Sequence, residues 1–158
     1  MYRFFESVFS SLLEKLQART LLEVGSEQGK LTRRLLGYCV KADAVLHVVE
    51  PDPLFDVESW RQEFGKHIVL HQDLSLKCLG DLPPPDVVFL DGEHNWYTVF
   101  HELKLMEAWA ESGNSFPVVF IHDVGWPYSR RDMYYVPERI PEQYRQACAR
   151  KGLRPGDA

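Results

Sequence analysis

A chain of 158 residues, 45% apolar and 26% charged, is long enough for one domain with a sizeable core. Its formal net charge of -5 gives no general footing for nucleic acid, whose partners usually present a basic surface. Three cysteines (Cys39, Cys78 and Cys148) without a CxxC argue against a disulfide framework or thiolate cluster, and no apolar run approaches the roughly 20 residues of a membrane span. The expectation is a cytoplasmic protein with reduced thiols, no secretory signal, and neither membrane nor nucleic acid among its partners.

The first segment, "YRFFESVFSSLLEKLQA", places Phe4, Phe5, Val8, Phe9, Leu12, Leu13 and Leu16 three and four apart. That spacing predicts a helix with one broad apolar face, within residues 1–19, packed on a domain formed by residues 20–158. Then the period changes. "TLLEVG" (20–25), "AVLHVVE" (44–50), "HIVLHQD" (67–73), "DVVFLDG" (86–92) and "PVVFIHD" (117–123) are short runs of Val, Ile, Leu and Phe. Helical spacing separates them at 29–39, 53–64, 74–80 and 95–111. Strands alternating with helices predict an α/β class: a doubly wound, Rossmann-like, mostly parallel sheet with helices on both faces.

Residues 124–141, "VGWPYSRRDMYYVPERIP", have no clean period, and a loop that long in a compact domain is usually functional. Tyr128, Arg130, Arg131, Asp132, Tyr134 and Tyr135 are its candidate substrate contacts. A last helix is expected over about 141–151, before "GLRPGDA". This order is that of a doubly wound sheet without its final strands. The domain is therefore expected to be C-terminally truncated and to lack a C-terminal β-hairpin. An exposed sheet edge would then favour a homo-oligomer.

Ligands of open α/β sheets bind outside the carboxyl ends of the strands, where the polar residues of this sequence collect. "EVGSEQG" is a strand followed by a glycine turn, with Gly25 and Gly29 spaced G-x-x-x-G. It is either a plain βα turn or a cradle for a ligand, and the absent middle glycine disfavours a dinucleotide pyrophosphate. Glu50 ends the second run, where an acidic side chain reaches ribose hydroxyls; the alternative is a solvated strand end. Asp73 would lie near a bound base or cap the next helix. Glu23, inside the first strand, needs donors such as loop N–H groups or a ligand amine.

The fourth and fifth runs end in Asp91-Gly-Glu-His94 and His122-Asp123. Adjacent strand ends bring the two carboxylates within roughly 5–10 Å, and they repel unless protonated or bridged by a cation. A hard divalent ion would resolve that conflict, with His94 as general base beside it. The alternative has Asp91 capping the 95–111 helix and His122 in a buried hydrogen bond. Trp96, Tyr97, Phe100, Leu103 and Trp109 are expected to pack in the core. His47, His67 and His71 carry no metal spacing.

"EVGSEQGKLT" followed by "VVEPDP" resembles motifs I and II of class I S-adenosylmethionine-dependent methyltransferases. "FLDGEHNWYTVFHEL" with "VVFIHDVGWP" is similar to the metal-assisted O-methyltransferase branch with an Asp-Gly-x-His motif, the macrolide-sugar O-methyltransferases and cephalosporin-hydroxylase-like proteins. The resemblance covers about residues 20 to 125. It implies S-adenosylmethionine as cofactor, with Gly25, Ser26 and Gly29 around its methionine part, Glu50 on the ribose and Asp73 near the adenine. Glu23 and Asp91 complete that set. It implies further that Asp91 and Asp123, with His122 beside them, ligate a magnesium-type ion while His94 deprotonates a hydroxyl. Relatives often carry an acidic pair after the fifth strand; here His122 takes one place, and imidazole is the poorer partner for a hard cation. The activity implied is O-methylation of a sugar, glycoside or related small molecule. A nicotinamide-dependent oxidoreductase and a catalytically inactive S-adenosylmethionine-binding module stay open as alternatives.

Overall fold

In the computed structural model, residues 1–124 and 137–145 are described in full, and 133–135 and 151–153 as backbone. Each expected apolar run forms a strand: β1 (Thr20–Val24), β2 (Val45–Val49), β3 (Ile68–His71), β4 (Val87–Leu90) and β5 (Val118–Ile121). All neighbouring pairs are parallel, in the order β3-β2-β1-β4-β5. The chain thus builds outward from β1 to β3, then crosses back to place β4 on the other side of β1. Such a reversal opens a crevice at the carboxyl ends of β1 and β4.

Alternation along β1 decides the layers. Leu21 belongs to a core with Leu35, Leu36, Leu46, Val48 and Phe89, under α1 (Ser10–Leu16), α2 (Lys30–Ala42) and α3 (Val57–Phe64). Leu22 and Val24 face the opposite core with Val49, Val88, Leu90, Met106 and Trp109. That second layer is closed by α4 (Ser75–Cys78), a 3-10 turn at Leu79–Asp81, and α5 (Trp96–Glu111). Helices on both faces of a parallel sheet give the doubly wound class expected.

Three local expectations need correction. The N-terminal segment is not one regular helix: a 3-10 turn (Tyr2–Phe4) and a π-helical turn (Phe5–Phe9) precede α1. Only Phe5, Phe9 and Leu13 are fully buried, at a spacing of four, while Phe4, Val8 and Leu16 stay exposed, so the apolar face is narrow. Among the aromatics of α5, Trp109 is buried, but Trp96 and Phe100 are 38% and 51% exposed. Both lie on the opposite side of α5 from its buried stripe of Thr98, Glu102, Met106 and Trp109.

Third, the expected helix over about 141–151 does not begin where predicted: among its described residues, Glu142–Tyr144 is a single 3-10 turn ended by an extended Arg145, and 146–150 lie outside the described residues. Tertiary contacts hold it there, with Tyr144 against Tyr97 of α5 and Arg145 Nε donating to the Ile140 carbonyl at 2.7 Å. Beyond it, β7 (Lys151–Leu153) pairs in parallel with β6 (Met133–Tyr135) in a separate two-stranded sheet. Of the candidate substrate loop, Tyr128, Arg130, Arg131 and Asp132 lie outside the described residues, and the Tyr134 and Tyr135 side chains do too. Among the described residues no helix is long and apolar enough to cross a membrane.

Candidate active site at the switch point of the sheet

Gly25 sits where β1 ends, in the left-handed region at φ 84°. A Cβ there would meet the Asp91 carbonyl at 2.4 Å and Gly92 Cα at 2.5 Å. The glycine is required because the turns after β1 and β4 touch backbone to backbone. The Asp91 N–H donates to the Val24 carbonyl at 2.8 Å and closes the same contact. Gly29, at φ 72°, caps α2, and a Cβ on it would strike the Trp60 ring at 2.4 Å. Its lack of a side chain therefore serves packing against α3.

On the β1–β2 side of this junction stand three of the predicted acidic groups. Glu50 Oε2 accepts the Ser26 and Glu27 N–H groups at 3.0 and 2.9 Å, and Oε1 accepts from Asp52 at 3.1 Å. Three of about four acceptor positions on the carboxylate are thus used, and one remains for a hydroxyl. Glu23 is 1% exposed, and its Oε2 has no hydrogen-bond partner. Burial pushes its carboxyl up to about 8; Thr32, whose Oγ1 makes no well-formed hydrogen bond, lowers it in part, and the nearby Asp91 and Glu50 carboxylates raise it. The Ser26 hydroxyl is likewise buried without a partner. Asp73 follows β3 on the same edge, exposed, with Oδ1 accepting the Leu74 N–H at 2.7 Å and lying 3.4 Å from Lys77 Nζ. The residue in the capping position of α4 is Leu74, so Asp73 is not the cap.

On the β4–β5 side, Asp91 Oδ1 lies 2.9 Å from His122 Nδ1 and 3.7 Å from His94 Nε2. The same His122 nitrogen is 3.1 Å from Asp123 Oδ1. Asp123 has a left-handed backbone, φ 54°, the strained turn that folds its carboxylate back toward its neighbour's ring. His94 is mostly buried, and that burial holds its imidazole below the usual 6.5 despite Asp91 and Asp123, which act the other way. Helix capping does not explain Asp91: Asn95 caps α5, accepting the Thr98 N–H at 2.9 Å. The other oxygen of Asp91, Oδ2, accepts from the Met1 ammonium group at 3.2 Å.

His94, His122 and Asp123 line a cleft of about 180 Å³ with Asn95, Trp96, Val99, Ile121 and Val124. Asn95 and Trp96 were not among the predicted site residues. A helix cap four residues after Asp91 was signal enough for the first, because the cap of α5 must stand at the strand ends. Glu102, one turn before Met106 on the buried stripe of α5, is 1% exposed. Burial pushes its carboxyl up to about 7, with Ser75 lowering it and Glu93 raising it. An acidic residue at a core position of the 3.6-residue pattern marks it in retrospect. Glu93, next to His94, pairs with Arg139 and fastens the 137–145 segment over the start of α5.

A magnesium-type ion finds no ligand set here. Among the described residues no group of three or more His, Cys, Asp or Glu side chains is arranged to hold a metal ion. The space between the Asp91 and Asp123 carboxylates holds the His122 ring nitrogen.

Comparison with known proteins agrees with this architecture. The SAH-bound methyltransferase PaMTH1 of Podospora anserina superposes with a TM-score of 0.59 at 16% identity, over 72% of this chain and 50% of that one. A candidate caffeoyl-CoA O-methyltransferase of Staphylococcus aureus gives 0.52 at 10% identity, over 63% and 48%. The chain thus spans about half the length of these solved structures, and the likeness at such identities is one of fold. No match is found among curated proteins. The profile of a methyltransferase domain, however, matches residues 22–124, the whole run from β1 through the strand ends that carry the site. The chain belongs to the methyltransferase domain family.

Proposed function

We propose that the chain carries the cofactor-binding and catalytic core of an S-adenosylmethionine-dependent O-methyltransferase acting on a hydroxyl of a small molecule. The observation that supports this most directly is the double engagement of Asp91. Its backbone touches the Gly25 turn near the buried, unpartnered Glu23 carboxyl oxygen, and its Oδ1 faces His122 and His94 beside the cleft. One residue thereby stands between a pocket suited to the methionine ammonium of a methyl donor and a pocket suited to an acceptor.

The residues of the first pocket match the donor's chemistry. Asp91 and Glu23 supply negative charge or acceptors for the ammonium, and the remaining Glu50 acceptor suits a ribose hydroxyl. Asp73 follows β3, the strand next to the one that Glu50 ends, on the side assigned here to the base of such a ligand. The sulfonium, when bound, supplies an already activated methyl group, so the protein's part is alignment and deprotonation of the acceptor. His94 suits the second task. An imidazole held neutral by burial accepts a proton at pH 7, and Asp91 at 3.7 Å stabilises the charge that results.

The resemblance of the strand-end motifs points to a sugar, glycoside or related hydroxyl compound as acceptor. The cleft is consistent with one ring of such a molecule, bounded by the Trp96 side chain and by polar groups of His94, His122 and Asp123. The test is transfer of a labelled methyl group from S-adenosylmethionine to a panel of sugars, glycosides and phenols. Label appearing on an oxygen, and lost in His94→Ala, supports the proposal. Label on nitrogen, carbon or sulfur acceptors only would contradict it.

A further inference from the structure

We infer that the Asp91–His122–Asp123 cluster is closed by its own imidazole and takes no divalent cation. A divalent ion shared by the two carboxylates would need to stand within about 2.0–2.6 Å of oxygens of both. His122 Nδ1 instead contacts both oxygens that such an ion would need, 2.9 Å from Asp91 Oδ1 and 3.1 Å from Asp123 Oδ1. The nitrogen is buried from solvent, and neither contact has the angles of a linear hydrogen bond. Two anionic oxygens around one ring nitrogen fix the tautomer, because a lone pair there would be repelled by both. The favoured tautomer carries its proton on Nδ1, with an N–H that makes no linear hydrogen bond to either oxygen.

Two further features hold the ring in place. The left-handed backbone of Asp123, φ 54°, is a conformation most non-glycine residues avoid, and it keeps the Asp123 carboxylate on the neighbouring ring. The His122 N–H donates to the Leu90 carbonyl at 2.9 Å, fixing the end of β5 to the end of β4. Admitting an ion would require the ring to leave, breaking both contacts with the carboxylates. His122 is therefore a positioning residue: it neutralises the repulsion between two strand-end carboxylates and sets Asp91 against His94. Its part in methyl transfer rests on the function proposed above, whereas the exclusion of a cation does not.

The test is a titration of the intact chain with Mn²⁺, followed by electron paramagnetic resonance, for the parent, His122→Asn and His122→Asp. Asparagine can place an amide N–H where the ring Nδ1–H stood, while aspartate offers a third carboxylate to the same space. The parent and His122→Asn are expected to show no saturable site below about 1 mM, the weak end of protein sites for hard cations. His122→Asp is expected to bind at least tenfold more tightly than the parent, and Asp91→Asn in that background to abolish the gain. A submillimolar site in the parent that Asp91→Asn or Asp123→Asn removes would overturn the inference. So would a folded His122→Asp that binds no better than the parent. Should His122→Asp not fold, the parent titration decides. Binding of S-adenosylhomocysteine to the same parent sample, measured separately, speaks only to the cofactor reading, so the two can fail independently.

Discussion

Gly25 and Asp91 meet where the chain reverses its direction across the sheet, so closely that a single added carbon on Gly25 would stand 2.4 Å from the Asp91 carbonyl oxygen. The contact joins the turn after β1 to the turn after β4, and thereby the donor side of the site to the acceptor side. Gly25→Ala must both strain a backbone at φ 84° and push two backbones apart. Each effect costs about 1–3 kcal/mol, and a total loss of about 2–6 kcal/mol in urea unfolding is expected. Gly37→Ala is the control: within α2 and with nothing within 4 Å of its Cβ, it should stabilise by about 0.5–1 kcal/mol. Similar effects of the two substitutions would show that the contact carries no strain.

Glu23 gives a proton-linked prediction. Burial holds its carboxyl protonated up to about pH 8. An ammonium ligand beside it favours the carboxylate, so ligand binding at pH 7 should expel a proton. The calorimetric enthalpy of S-adenosylhomocysteine binding should then vary with the ionisation enthalpy of the buffer, and the dependence should vanish in Glu23→Gln. An enthalpy independent of buffer in the parent would separate Glu23 from the ligand.

Glu102 makes a stability prediction whose sign is fixed by linkage. The folded carboxyl keeps its proton to about pH 7, whereas the unfolded chain releases it near 4.5. The folded state therefore holds more protons between these values, and stability falls as pH rises from about 4.5 to 7, with no further change above. Relative to the parent, Glu102→Gln should be equally stable near pH 4.5 and more stable at pH 8, by up to about 3 kcal/mol. A difference between the two proteins that does not change with pH would place the Glu102 charge elsewhere.

His94 predicts the pH dependence of turnover. Its imidazole is held below 6.5 by burial, so the acid limb of kcat/KM should have its midpoint below that value. His94→Ala should lower kcat by roughly 10²–10⁴-fold, the loss typical of a missing general base, and leave S-adenosylhomocysteine binding near that of the parent. A limb centred above 6.5, or an unchanged kcat, would assign deprotonation to another group.

Much of this was legible in the chain because parallel strands buried on both faces are continuous apolar runs, and their ends are abrupt. The five runs gave the strands within a residue or two, and the acidic residues terminating them marked Glu50, Asp73, Asp91 and Asp123. What the pattern does not carry is contact between strand ends. That His122 turns its ring between Asp91 and Asp123 depends on a left-handed backbone at an aspartate, which no residue preference announces. His47 and His71, without metal spacing in the sequence, stack on adjacent strands with their ring nitrogens 3.1 Å apart, a pairing fixed by register alone. Trp96 and Phe100 looked like core because they are aromatic, yet the buried face of α5 is the one carrying the polar Thr98 and Glu102.

The most direct measurement is a calorimetric titration of S-adenosylhomocysteine into the intact chain, run beside Glu50→Ala with the melting of both proteins recorded. The parent should bind one equivalent, and the variant more weakly by about 1–3 kcal/mol, the cost of removing a charged acceptor from a ligand hydroxyl. No heat of binding in the folded parent, or equal affinity in the two proteins, would contradict the assignment of this crevice to the methyl donor.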